Sequence, residues 1–216
     1  MRLWDEMKEL LFPNRCVFCY RFTGGPDVCP KCRESLPYTR GGGQRQRFQF
    51  VDTCVSPLYY EGDARESLRR YKFHDLPFYW KIYRNFLSKC VDGNEISCDI
   101  ITWVPLSRRR LRERHYDQAR LLAEGLAERM GVPCVKLLVK VGDNPAQSGL
   151  SGREARRANV SGMYRAAAPE QTAGKRVLLV DDIVTTGSTL NECAAVLRLA
   201  GAESVSAATV ARGREE

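Results

Sequence analysis

Histidine is nearly absent from this chain, at two residues in 216. His74 and His115 stand isolated, so neither a serine-type triad nor a histidine metal centre is legible, and each reads as a local hydrogen-bonding residue. Long apolar runs are missing as well. None approaches the roughly 20 residues that span a bilayer, and the N-terminus lacks the basic flank, apolar core and small-residue cleavage site of a secretory signal. The expectation is a cytoplasmic protein with no membrane insertion. There is no Gly-x-x-x-x-Gly-Lys-Ser/Thr run, which argues against a P-loop NTPase. Repeats and long low-complexity tracts are also lacking.

What is present suits one domain of ordinary size plus a small appendage, with 44% hydrophobic residues and enough length for a buried core. The formal net charge of +8 makes polyanionic partners plausible but says little about fold. Its distribution is more informative: Arg108, Arg109, Arg110, Arg112 and Arg114 form one cluster, and Arg153, Arg156 and Arg157 another.

The segment from Lys175 to Thr189 is the richest in chemistry. Val177 to Val180 is a short continuous apolar run of the kind buried on both faces of a parallel sheet. Asp181 and Asp182 then fall at the carboxyl end of that strand, where open α/β sheets bind ligands. Thr185, Thr186, Gly187, Ser188 and Thr189 follow with small side chains, hydroxyls and a glycine that lets backbone N–H groups approach an anion. Leu190, Cys193, Ala194, Leu197 and Ala200 have helical spacing, Thr189 and Glu192 match a capping box, and Gly201 is placed to end the helix. The turn thus opens a helix whose N-terminal dipole favours phosphate. No Gly-x-Gly-x-x-Gly opens that helix, so a Rossmann dehydrogenase is disfavoured. Four hydrophobics, two acids, two hydrophobics and Thr-Thr-Gly-Ser-Thr resemble the phosphoribosyl pyrophosphate (PRPP) motif of type I phosphoribosyltransferases. The bland alternative is an acidic loop capping an ordinary βα unit.

Cys16-x-x-Cys19 and Cys29-x-x-Cys32 are two knuckles separated by nine residues. Four soft thiolates on two tight turns suit tetrahedral zinc, and the Gly-Pro-Asp turn between them is able to bring them together. A closed set of four thiolates implies a structural metal. Disulfides or reduced structural cysteines are the alternatives; a reducing compartment disfavours the former. Cys54, Cys90, Cys98, Cys134 and Cys193 lack such pairing and read as small buried hydrophobes.

Elsewhere, Leu3 to Leu11 reads as a short amphipathic helix stopped by Pro13, and Gly41 to Arg47 as a flexible polar linker. The chain divides into residues 1–45, carrying the cysteines and linker, and 46–216. Tyr60 to Phe73 reads as a turn into a basic helix, and Phe78 to Leu87 as an amphipathic stretch placed to cover the site as a hood. The aromatics here are either core or base-stacking groups tracking a nucleic acid. Cys98 to Val104 is a second buried strand expected beside Val177–Val180. A helix through Ala119, Leu122, Ala123, Leu126 and Met130 is capped by Asp117 and ended by Gly131. Arg108 and Arg109 then either contact a pyrophosphate or form a solvated basic turn. Val135 to Val141 reads as a further strand. Gly142 to Gly152 is a turn-rich candidate lid, Arg153, Arg156 and Arg157 share a helical face for substrate or solvent, and Val205 to Val210 is a final strand.

Taken in order, these segments resemble the ComF family of competence-associated, phosphoribosyltransferase-like proteins over nearly the whole chain. The resemblance is carried by Phe12-Pro13, the four cysteines, Tyr60-x-Gly62-x-x-Arg65 to Lys72-Phe73, Val104-Pro105, Tyr116-x-Gln118, Gln147, Arg153, Asn159 and Asp181-Asp182. It implies an α/β type I phosphoribosyltransferase fold, a mainly parallel sheet flanked by helices with a small N-terminal zinc segment. It further implies Asp181 and Asp182 on the ribose hydroxyls of PRPP, Thr185 to Thr189 on its 5′-phosphate, and Mg2+ with Arg108, Arg109 and Arg153 on the pyrophosphate. An acceptor for phosphoribosyl transfer is implied but not identified, and the family is linked to single-stranded DNA and the competence machinery. A non-catalytic site that senses PRPP or a nucleotide is the second reading. His115 and Asp117 stand where the family usually has Gly and Asn, and Lys140 and Asn144 where it has Arg and Thr.

Overall fold

The computed structural model describes residues 15–24, 27–43, 46–74, 76–141 and 162–214. The amphipathic stretch Leu3–Leu11, the candidate lid, and Gln147, Arg153, Arg156, Arg157 and Asn159 lie outside them.

The apolar run Val177–Val180 forms the middle of β6 (Arg176–Val184), which is flanked on both sides by parallel strands. On one side lies β3 (Ile100–Trp103), whose four residues are all buried, and on the other β7 (Ser204–Arg212). Beyond β7 come β1 (Thr53–Val55) and β2 (Leu58–Tyr59), also parallel to it, so the sheet order is β1-β7-β6-β3 with β2 alongside β7. Burial on both faces explains the unbroken hydrophobic runs. β3 does lie beside β6, as its sequence predicts.

The helices follow from their spacing. In α2 (Gly62–Phe73) the buried side chains are Ala64, Ser67, Leu68 and Tyr71, and in α3 (Tyr79–Gly93) they include Tyr79, Tyr83, Leu87 and Cys90. These spacings of three and four place one stripe against the sheet. α5 (Gln118–Met130) is capped by Asp117, whose side chain accepts the Arg120 N–H, and ends at Gly131 in the left-handed region. α2, α3 and α5 cover one face with Leu178 and Val180. α7 (Ser188–Leu199) covers the other through Leu190, Cys193 and Leu197, against Val177 and Leu179. A short antiparallel ladder of β4 (Leu138–Lys140) and β5 (Tyr164–Ala166) packs on that second face. The predicted strand Val135–Val141 is therefore shorter and outside the main sheet. Leu137 is held instead by its N–H donating to Thr102 Oγ1 at 3.2 Å.

Two expectations change. The Phe78–Leu87 stretch is not a hood: Tyr79, Tyr83 and Leu87 are 0–2% exposed, so α3 is core. Those rings, with Tyr71, are accordingly unavailable to stack bases. The linker is also ordered where described. It makes a 3-10 turn over Arg40–Gly42, and Gly43 (φ 133) lies so close to α3 that a Cβ there would fall 2.2 Å from Cys90 Sγ.

The first cysteine knuckle joins the helical face. Phe18 is 1% exposed and meets Tyr83 and Phe86 edge-on, with ring centroids 6.2 and 5.6 Å apart. The second knuckle contains α1 (Pro30–Ser35). α4 (Arg108–Arg114) and α6 (Pro169–Thr172) complete the described helices.

Candidate active site and four-cysteine cluster

β3 pairs with β6 only as far as Trp103↔Val180, whereas β7 continues alongside to Val184↔Arg212. The four residues from Asp181 to Val184 thus run past the end of β3, with a strand on one side only. After β3 the Val104 N–H still donates to the Val180 carbonyl at 3.0 Å, and the chain then passes through Pro105 into α4, so β6 beyond Val180 has an unpaired edge on that side. Ligands of α/β sheets bind at such an edge.

Strand alternation sends the two acids toward different layers. Asp182, buried, faces the helical side: its Oδ1 is 2.9 Å from Lys72 Nζ at the end of α2, with side-chain exposures of 9% and 18%. Asp181, half-buried, lies within electrostatic range of Tyr164 on β5 and Cys193 on α7. Its Oδ1 accepts the Asp182 N–H at 2.8 Å. Burial, then the neighbouring Asp182 charge, pushes the Asp181 carboxyl up to about 8, against the opposing pull of Lys72. A third carboxylate, Asp117, is also pushed up by burial and feels Asp182. Both Asp117 oxygens are engaged, Oδ1 by the Arg120 N–H and Oδ2 by Trp103 Nε1, each at 3.2 Å. Asp117 is a capping residue rather than an open acceptor.

Beyond Val184 the chain turns through exposed Thr185, Thr186, Ser188 and Thr189 around buried Gly187. Gly187 has φ +77, and a Cβ there would lie 2.1 Å from the Phe48 ring, so the position excludes side chains on two counts. Thr186 Oγ1 and Ser188 Oγ are 2.9 Å apart. Gly187 is the N-cap of α7 and supplies no side-chain cap, which leaves the first-turn N–H groups facing the loop. The predicted capping box does not form, because Thr189 already lies inside the helix. Glu192 instead accepts the Met163 N–H at 3.0 Å, tying α7 to the start of β5.

Arg108 and Arg109 occupy the first turn of α4, exposed, with Arg109 Nε 3.7 Å from Glu113 Oε1. The arginine cluster is therefore its own short helix, with its cations in α4 rather than at the N-terminus of α5. α4 ends at His115 with φ +61, a left-handed cap, which gives a physical reason for the glycine usual at this position. Lys72 was legible only as part of a basic helix; no local pattern links it to a carboxylate 110 positions away.

The four cysteines do converge: their sulfurs lie within 4.8 Å of one another, and Cys19 and Cys29 Sγ are 3.7 Å apart. Tetrahedral metal–thiolate bonds of about 2.3 Å give sulfur separations of about 3.8 Å, so the group fits a metal ion. The Cys29 N–H donates to Cys16 Sγ and the Cys32 N–H to Cys29 Sγ, both at 3.4 Å. Burial pushes Cys16 up, but such N–H bonds outweigh it and bring the thiol to about 7. Cys54, Cys90, Cys98 and Cys193 are buried free thiols, as read from sequence, while Cys134 is half-buried.

Comparison with known proteins agrees with this architecture. A phosphoribosyl transferase domain model matches residues 117–216. Competence protein F of Haemophilus influenzae is 37% identical over 110 residues, covering 50% of this chain and 48% of that protein. Competence protein ComFC of Streptococcus pneumoniae is 27% identical over 209 residues, 96% of this chain and 85% of that one. The chain spans about half the length of the first of these relatives, and similarly 46% of the DNA utilization protein YhgH of Salmonella typhi. Among solved structures, glutamine PRPP amidotransferase from B. subtilis, in complex with ADP and GMP, aligns at a TM-score of 0.47 and 23% identity, over 65% of this chain and 30% of that one. Among the described residues no helix is long and apolar enough to cross a membrane. The parallel sheet, the matched domain and the named relatives together support a ComF-family protein that carries a domain of type I phosphoribosyltransferase fold and a four-cysteine cluster near its N-terminus.

Proposed function

We propose that the chain binds PRPP with Mg2+ at the sheet edge beyond β3 and transfers its phosphoribosyl group to a small nucleophilic acceptor, releasing pyrophosphate. The observation that carries this reading is that Asp181 and Asp182 overrun β3 on an open edge and lead directly into the exposed Thr185–Thr189 turn at the start of α7. One ligand with ribose hydroxyls and a 5′-phosphate matches both halves. The carboxylates accept from the 2′ and 3′ hydroxyls. The turn gives the phosphate hydroxyls and the first-turn N–H groups of a twelve-residue helix. As the C1–oxygen bond breaks, its electron pair leaves with pyrophosphate, and fixed carboxylates stabilise the cationic ribose that develops. The acceptor nitrogen closes the new bond at C1 and gives up a proton to solvent. Mg2+, when bound with PRPP, supplies charge neutralisation on the leaving oxygens, with Arg108, Arg109 and Arg153 as the protein's candidate pyrophosphate contacts. In the same reading the four cysteines hold structural Zn2+, and the protein works in the cytoplasm.

Calorimetric titration with PRPP and Mg2+, followed by a screen of nucleobases, ammonia and glutamine for pyrophosphate release, tests this. Wild type should bind and release pyrophosphate with one acceptor class, and Asp181→Asn/Asp182→Asn should lose activity by about a hundredfold or more. Absence of PRPP binding by wild type sinks the reading.

A second reading draws on the exposed arginines of α4 and the net charge of +8, together with relatives named for competence and DNA utilization. In it the same site senses PRPP or a nucleotide while the basic surface holds single-stranded DNA or a protein of the uptake machinery. DNA binding that falls steeply with salt, and with removal of Arg108, Arg109 and Arg112, supports it. Binding indifferent to both changes counts against it.

A further inference from the structure

α2 meets the cysteine cluster and the carboxylate pair at three levels. At its first turn Asp63 Oδ2 lies 3.8 Å from Cys32 Sγ. In its middle, Ser67 Oγ donates to the Val17 carbonyl at 2.6 Å, and Arg70 Nη2 donates to the carbonyls of Val17, at 3.0 Å, and Phe18. Both carbonyls lie inside the first cysteine knuckle. At its last turn Lys72 meets Asp182 at 2.9 Å, and the Tyr71 carbonyl accepts from Tyr116 Oη. Tyr71 Oη in turn donates to the Gln118 carbonyl at 3.0 Å. The helix is a strut between the cysteine cluster and the carboxylate pair, and Lys72 is the described cation bonded to that pair.

We propose that Lys72 is a positioning residue of the active site: held in place by the clamp of the first knuckle on α2, its ammonium orients Asp182 and balances the charge of the carboxylate pair so that a polyanionic sugar phosphate is admitted. The inference rests on the PRPP reading above. Adjacent carboxylates repel each other and a ligand carrying several negative charges, and a partly buried cation removes much of that repulsion. A carboxylate fixed by an ammonium on one oxygen also keeps the other aimed at a hydroxyl donor. Asp181 is faced by Asp182 on its own strand, Lys72 on α2, Asp117 at the cap of α5, Cys54 on β1, Tyr164 on β5 and Cys193 on α7. Of these, Lys72 favours its ionised form and the acids oppose it.

The test compares wild type with Lys72→Met, Lys72→Gln and Lys72→Arg in the full chain. PRPP–Mg2+ affinity is read by calorimetry, and the Asp181 titration midpoint by carboxyl-carbon NMR. Methionine and glutamine should each weaken PRPP by about tenfold, a charge-assisted contact's worth, and raise the Asp181 midpoint. Arginine should restore most of both. Unchanged affinity, or a loss with no movement of the midpoint, overturns the proposal, the latter marking a merely structural lysine. Two neutral variants guard against one that fails to fold. Should wild type not bind PRPP, the functional reading fails by itself, and the midpoint still decides whether Lys72 balances the pair.

Discussion

Asp181 and Asp182 are chemically identical neighbours with different surroundings. Lys72 meets Asp182 directly, whereas Asp181 is held up to about 8, by burial and then by the Asp182 charge. A raised folded-state value means that the contribution of Asp181 to stability is complete below its ordinary carboxylate range and is lost as pH climbs through about 8. Asp181→Asn removes that dependence. The melting temperature of the variant relative to wild type should rise between pH 4.5 and 8.5 by about 5 °C and level off above, as followed by circular dichroism. Both acids and the phosphate turn were legible from sequence because strand, turn and helix are contiguous there. Lys72 was not, since its pairing depends on where the fold brings the end of α2. Asp117 shows the converse: a carboxylate beside the site whose oxygens are both spent on the Arg120 N–H and the Trp103 indole.

At the scale of elements, the turn before α7 depends on one close approach. Gly187 combines φ +77 with a Phe48 ring only 2.1 Å from where a Cβ would stand, so an alanine must both strain the backbone and push the ring aside. Gly187→Ala should cost about 2 kcal/mol of stability, measured by urea unfolding, and weaken PRPP by tenfold or more because the N–H groups of the first turn shift. Phe48→Ala in the same background should recover part of the stability by clearing the ring. Periodicity revealed α5 and α7 with their buried stripes and the existence of β3, β6 and β7. It failed for α3, where an amphipathic pattern describes a helix lying on the sheet equally well as one arching over a site. It failed also for β4, whose apolar residues serve a separate two-stranded ladder.

For the whole molecule, the cysteine cluster is continuous with the core rather than hung from it. Phe18 sits among Tyr83 and Phe86, and the Val17 and Phe18 carbonyls receive Ser67 and Arg70. If the cluster holds zinc as proposed, Cys16→Ser should lower the zinc content, measured by elemental analysis, and lower the thermal midpoint of the entire domain in one cooperative transition. Two separate transitions would show the knuckles to be independent. The C-x-x-C spacing announced the cluster, but sequence placed it in an appendage, because the carbonyl contacts join residues 50 and more positions apart.

The sheet order has a consequence for synthesis. β7 lies between β1 and β6 and pairs with both, with Thr53 opposite Ser206. Until Ser204–Arg212 is in place, the two strands it joins have no partner between them, and their facing edges present unpaired N–H and C=O groups. Closure of the core is therefore a long-range event, joining strands about 150 positions apart, of the kind that folds slowly and invites chaperone capture.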